Sequence, residues 1–232
     1  LIDSRSACKG SPQPGTPDLS GDRDLEWGFV AARLGRYVSN DTRVLDFGCG
    51  NGVLATAAAG LGARVLAIDL MPRRMLSLNP RIEFRRVDLL ALDDETVFDL
   101  VVNCSTIEHV GLGGRYNTTG MTDGDLEAMV KLRRMLRPDG YMLLTLPVGR
   151  DAVVHPMHRI YGEERLPRLL CGYDVVESNF WRKDARNVWL PCSRDEAVIE
   201  KGNERYYALG AMVLRVKLPT TTEPEYRRNT QC

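Results

Sequence analysis

Histidine is scarce in this sequence, with only His109, His155 and His158, and the six cysteines contain no C-x-x-C pair. The irregular spacing of Cys8, Cys49, Cys104, Cys171, Cys192 and Cys232 argues against a zinc knuckle or a disulfide framework, so a reducing, cytoplasmic setting is expected. Neither sign of charge is in excess. Lys+Arg and Asp+Glu number 31 each, which removes the global basic field that holds a polyanion non-specifically. Nucleic acid is therefore disfavoured as a partner. No apolar run approaches a membrane span, and the opening residues lack the charged-then-apolar order of a signal peptide. The chain opens on Leu1 rather than Met, as a processed or excised segment would.

What is present suits one globular domain: 232 residues, 44% apolar and 27% charged. Residues 1–21 are rich in Gly, Pro, Ser and Asp and read as a flexible leader, 22–218 as the domain and 219–232 as a polar tail. The segment DRDLEWGFVAARLGRYV sets Trp27, Val30, Ala31, Leu34 and Val38 at helical spacing, which predicts a helix packed by that face. From Arg43 onward apolar runs alternate with helical ones: RVLDF, GVLATAAAGL, RVLAID, PRRMLSL, IEFRRVDL, FDLVVNCS, DGDLEAMVKLRRML, GYMLLTLP. Such alternation signals an α/β fold with a mostly parallel sheet covered on both faces. Thr122 and Asp125 form a capping-box pattern before the helix ending near Arg137. Beyond Arg159 follow a helix at 163–170, the strand YDVVESNFW, an irregular insert at about 184–205 and the last strand YALGAMVLRV.

The densest signal is VLDFGCGNG. A dinucleotide turn needs G-x-G-x-x-G beneath a pyrophosphate. Here Gly48, Gly50 and Gly52 follow one another at every second position, so the third glycine comes one residue early. Asp46 sits two residues before the first. A carboxylate there repels a pyrophosphate and favours a cationic group, directly or through water.

With those residues the chain resembles the class I methyltransferases, whose D-x-G-x-G-x-G motif binds S-adenosyl-L-methionine, a sulfonium and ammonium carrier without phosphate. The resemblance covers about Asp41 to Leu218. It implies a seven-stranded, mostly parallel twisted sheet with helices on both faces and the last strand antiparallel. Cofactor contacts are implied for Asp46, Gly48, Gly50 and Gly52. Asp69, about 20 residues past the first glycine, is implied for the ribose hydroxyls, Asp88 with Leu89 for the adenine and Asn103 for the methionine end. Cys49 and Cys104 read as small apolar fillers.

Methyl transfer to a hydroxyl requires a held acceptor and a proton acceptor. Glu108 and His109 follow the fourth strand at the ligand-binding edge, and His109 is placed to act as general base. Glu-x-x-Glu-His, the metal pattern of small-RNA 3′-end 2′-O-methyltransferases and ubiquinone-pathway O-methyltransferases, is broken by Ser105, so no metal is expected. The stretches EHVGLGGRY and HRIYGEERL also resemble small methyltransferases of surface-polysaccharide and glycan pathways. On that likeness Arg115, Tyr116, His155, His158 and Arg159 are candidate acceptor contacts, and Gly111, Gly113 and Gly114 mark a lid loop.

The sequence thus implies O-methylation of a small-molecule or sugar hydroxyl. O- is favoured over N-methylation because NCSTIE stands where a D/N-P-P-Y motif would. Three other readings stay open: a non-catalytic S-adenosylmethionine-binding or partner-binding module of the same fold, an RNA 2′-O-methyltransferase, and a nicotinamide oxidoreductase. Acceptor identity and oligomeric state are not written in the sequence.

Overall fold

The computed structural model describes residues 17–92, 96–114 and 120–218. Along the chain run α1 (Asp22–Tyr37), β1 (Arg43–Phe47), α2 (Val53–Gly60), β2 (Arg64–Asp69), β3 (Ile82–Arg86), β4 (Phe98–Cys104), α3 (Gly124–Met135) and β5 (Leu136–Val148). There follow β6 (Ala152–Val154), β7 (His158–Ile160), α4 (Arg165–Leu169), β8 (Tyr173–Lys183), β9 (Trp189–Cys192), α5 (Arg194–Val198) and β10 (Ala208–Val216). Short 3-10 turns cover Leu89–Ala91 and Ile107–His109.

Eight strands form one sheet in the order β3-β2-β1-β4-β5-β10-β8-β9, and β6 pairs with β7 in a separate hairpin. Strands β3 to β5 pair in parallel, whereas β10, β8 and β9 pair antiparallel. The order reverses between β1 and β4, which opens a crevice beyond their carboxyl ends. Alternating side chains divide the core in two. Val44, Leu100, Val102 and Leu143 pack beneath α1 and α2, while Leu45, Val101, Met142 and Leu144 pack beneath α3 and α4.

The sheet has one strand more than the seven expected. The extra edge strand β9 lies in the stretch read as an irregular insert and is recruited by Phe180–Lys183 of β8. Trp189, Leu190 and Cys192 suit a strand, but the run is too short to announce itself. Conversely, the helix expected at PRRMLSL is absent. Pro72 and Pro80 frame an extended crossing whose Leu76 and Leu78 are exposed, so no apolar face forms to support a helix. Asp125 does not cap α3 with Thr122; it is buried as an acceptor for Arg165 and Tyr161. The described end of the expected leader, 17–21, is held down by Lys183 Nζ and Trp189 Nε1, which donate to the Ser20 carbonyl at 2.8 and 2.9 Å. Residues 1–16 and the tail 219–232 lie outside the described residues. Among the described residues Cys49, Cys104 and Cys192 are free thiols, whereas Cys171 is disulfide-bonded.

The buried face of α1 is rotated from the expected stripe. Glu26, Phe29, Val30 and Leu34 point inward, whereas Trp27 and Ala31 are exposed. That rotation brings a carboxylate under the crevice and an indole onto its wall.

Candidate active site

The crevice at the switch point has a volume of about 770 Å³. Its floor is the turn after β1. Gly48 N and Cys49 N both donate to the Ile68 carbonyl, at 2.9 and 3.0 Å, folding the turn back on β2. Gly48 has φ 72°, and a Cβ there would run into the Thr106 side chain. Gly50 has φ 54°, and a Cβ there would meet no protein atom within 4 Å, projecting into open space at the crevice. Side chains are thus excluded at both positions by different demands, one packing and one access.

Three carboxylates line this crevice from successive strand ends. Asp46 Oδ2 accepts the Ala55 amide at 3.1 Å, tying β1 to the first turn of α2. Burial pushes its pKa up to about 7, since the charged form is cut off from water. Asp69 accepts from Met71 N at 2.8 Å and Gly50 N at 3.1 Å, and lies 3.0 Å from Arg73 Nε. Asp88 accepts from Leu90 N at 2.9 Å, heading the turn that places Leu89 and Leu90 on the wall.

Beyond β4 the wall is formed by Cys104, Ser105, Thr106 and His109. His109 Nδ1 lies 2.6 Å from the Met157 carbonyl. A carbonyl only accepts, so Nδ1 carries a hydrogen, and in the neutral ring Nε2 holds the lone pair. Nε2 is 3.6 Å from Oε1 of buried Glu108. Burial pushes the thiols of Cys49, to about 12, and Cys104 upward, which leaves them thiols at neutral pH.

Several candidate residues lie elsewhere. Asn103 is fully buried with Nδ2 against Met129 Sδ at 4.0 Å, beneath α3 rather than in the crevice. Residue alternation explains this: Asn103 is one position short of the strand end that faces the ligand. His155 is exposed between β6 and β7, and His158 is buried with Nε2 3.2 Å from the Asn203 carbonyl. Neither lines the crevice. Arg159 does not face an acceptor anion. It is buried, its guanidinium donating to the Val110 carbonyl and to Met121 O and Thr122 O at 3.1 and 3.2 Å. Gly111 and Met121 close the same loop with a 2.7 Å backbone bond, so the feet of the expected lid are pinned. Arg115 and Tyr116 lie outside the described residues.

Sequence reasoning missed Arg23, Glu26 and Trp27 of α1. Arg23 and Trp27 line the crevice. Glu26 lies beneath it, accepting from Arg23 Nη1 at 2.8 Å, Thr145 Oγ1 at 3.1 Å and Ser105 Oγ. Burial pushes the Glu26 pKa up to about 7. The available signal was the spacing of Glu26 with Phe29 and Val30, which puts it on their face of a helix.

An open parallel sheet reversing at β1/β4, with an antiparallel strand after β5 and acids ending its first three strands, defines the fold of class I S-adenosylmethionine-dependent methyltransferases. The chain belongs to the family described as "Caenorhabditis protein of unknown function, DUF268", whose model matches residues 73–215; the "Ribosomal protein L11 methyltransferase (PrmA)" model matches residues 31–80. A "Ubiquinone biosynthesis O-methyltransferase" of Xanthomonas campestris pv. campestris (strain B100) is 40% identical over 171 residues, 70% of this chain and 64% of the relative. The match therefore spans less than two thirds of that relative's length. Among solved structures, the N-methyltransferase NodS of Bradyrhizobium japonicum WM9 in complex with S-adenosyl-L-homocysteine is similar, with TM-score 0.57, 19% identity and coverage of 90% of this chain and 93% of that one. The 1,6-didemethyltoxoflavin-N1-methyltransferase of Burkholderia thailandensis, with bound 1,6-didemethyltoxoflavin and S-adenosylhomocysteine, gives TM-score 0.55, 19% identity and coverage of 93% and 97%.

Proposed function

We propose that this chain is an S-adenosyl-L-methionine-dependent O-methyltransferase whose acceptor is a hydroxyl of a small molecule or sugar unit. The observation that carries the reading is the crevice, where a side-chain-free turn at Gly50 lies between buried Asp46 and the carboxylates of Asp69 and Asp88. The donor set fits this cofactor: carboxylates suit an ammonium, a ribose diol and an adenine amine, and repel a pyrophosphate. O-methylation is supported by the activity for which the Xanthomonas relative is named and by NCSTIE standing where a D/N-P-P-Y motif would.

When bound, S-adenosylmethionine supplies a methyl group on a cationic sulfur. The residues of this chain do the rest. Asp69 would accept the ribose hydroxyls, and Asp88 with Leu89 would hold the adenine. Asp46 would balance positive charge at the methionine end. His109 Nε2 would take the acceptor's proton as its oxygen bonds to the methyl carbon and the carbon–sulfur bond breaks, leaving S-adenosylhomocysteine. The Met157 carbonyl holds the tautomer and Glu108 stabilises the imidazolium that results.

Asp69→Ala is expected to weaken calorimetric S-adenosylhomocysteine binding by about 10- to 100-fold, equivalent to one or two charged hydrogen bonds. Undiminished affinity removes Asp69 from the site. His109→Ala is expected to lower S-adenosylhomocysteine release on the true acceptor by about 100-fold or more with cofactor affinity retained; full turnover eliminates the base.

A further inference from the structure

Helix α1 inverts the ordinary order of burial. Glu26 is 2% exposed, whereas its neighbour Trp27 is 41% exposed on the crevice wall. A helix seated by apolar burial alone does the reverse, because an indole gains and a carboxylate loses on leaving water. The inversion sets Arg23 and Trp27, one turn apart, side by side along that wall. Glu26 anchors the guanidinium from below through Arg23 Nη1, and is itself fixed by Thr145 and Ser105. Among the described residues Glu26 is the one hydrogen-bond acceptor of the Arg23 guanidinium, and the Trp27 indole N–H donates to none of them.

The pair stands at the acceptor end. α1 packs on α2 and on β4, β5 and β10, and makes no comparable contact with β2 or β3, which end at Asp69 and before Asp88. Glu108 lies 3.6 Å from His109 Nε2, and His109 lines the same crevice as Arg23 and Trp27.

We propose that Arg23 and Trp27 form the acceptor subsite and that it takes an uncharged ring bearing hydroxyl groups, a sugar unit or an aromatic diol. The assignment deepens the methyl-transfer reading and rests on it. A flat ring face stacks on the indole, and the guanidinium donates to a hydroxyl beside the one presented to His109. The ring is uncharged because the Arg23 guanidinium is already paired with Glu26 and the same crevice carries Asp46, Asp69 and Asp88. A carboxylate or phosphate would enter a neighbourhood with more negative charge than positive.

Ligand-observed saturation-transfer NMR on the full chain, with and without saturating S-adenosylhomocysteine, tests the subsite. The probes are methyl α-glucoside and catechol, with glucuronate and protocatechuate as their carboxylated counterparts. At least one uncharged probe is expected to bind, its counterpart about tenfold more weakly. Trp27→Ala is expected to lose about tenfold and Trp27→Phe to stay within about threefold of the wild type. Binding of the glucoside assigns the sugar and binding of catechol the aromatic diol; either upholds the proposal. Equal or tighter binding of the carboxylated probes, unchanged affinity in Trp27→Ala, or no binding of any of the four overturns it. Should Trp27→Ala fail to fold by circular dichroism, Arg23→Gln decides in its place: about fivefold weaker binding of the uncharged ring upholds the subsite and unchanged affinity overturns it. Calorimetry of S-adenosylhomocysteine alone reads the parent proposal separately. Its failure with ring binding intact brings down methyl transfer and with it the ring's role as acceptor, whereas cofactor binding with no ring binding overturns the subsite alone.

Discussion

At the scale of single residues, the crevice is governed by what burial does to charge. Asp46 and Glu26 both have pKa values raised to about 7, with burial as the largest cause. A carboxylate whose folded pKa exceeds its unfolded one stabilises the fold while protonated. That contribution is fully present below the unfolded value near 4 and is lost as pH rises towards 7. The apo protein is therefore expected to melt at a lower temperature at pH 7.5 than at pH 5.5, and Asp46→Asn to flatten the difference. A cationic cofactor selects ionised Asp46, so binding at pH 6.5 is expected to release protons and to tighten as pH rises to about 7. Calorimetry in two buffers of different ionisation enthalpy checks the release; proton uptake contradicts the assignment. The places of Asp46, Gly48 and Asp69 on the crevice were legible in the sequence because they are set within a strand and the turn it enters. Arg159 was not, since its partners Val110, Met121 and Thr122 are distant in sequence and only the folded chain delivers them.

Among elements, the β6–β7 hairpin organises the base and the loop above it. Met157 orients His109, and Arg159 staples both feet of the loop that begins at Gly111. Arg159→Met leaves buried carbonyls without their charged donor and is expected to destabilise the protein by about 2–3 kcal/mol. Hydrogen exchange at Met121 and Gly124 should rise by more than exchange in β1, with S-adenosylhomocysteine affinity changed less than about threefold. Uniform acceleration across the sheet contradicts a local staple. The strands β1, β2, β4, β5 and β10 were readable as apolar runs, and α3 by its period. β9 and the extended crossing after β2 were not, because their conformations follow from sheet-edge pairing and from prolines that leave Leu76 and Leu78 without a core to face. The same tertiary override rotated α1 and hid Glu26.

For the whole molecule, no helix among the described residues is long and apolar enough to cross a membrane. One sheet with a layer of helices on each face should unfold as a unit, and a ligand at its switch point should stabilise all of it. S-adenosylhomocysteine at a hundred times its dissociation constant is expected to add about 2.7 kcal/mol, raising the melting temperature by about 5–10 °C. NADH at the same concentration is expected to leave it unchanged; the reverse pattern would favour a nicotinamide site.

The stitches from Lys183 and Trp189 to Ser20 join segments more than 160 residues apart. A ribosome releases the first of these long before the second. Until β8 and β9 have emerged, the stretch leading into α1 lacks its mooring, and the nascent crevice lacks a secured wall. Ligand capture during synthesis must then wait for the carboxyl-terminal third of the chain, which makes completion of the sheet's far edge the event that licenses occupancy.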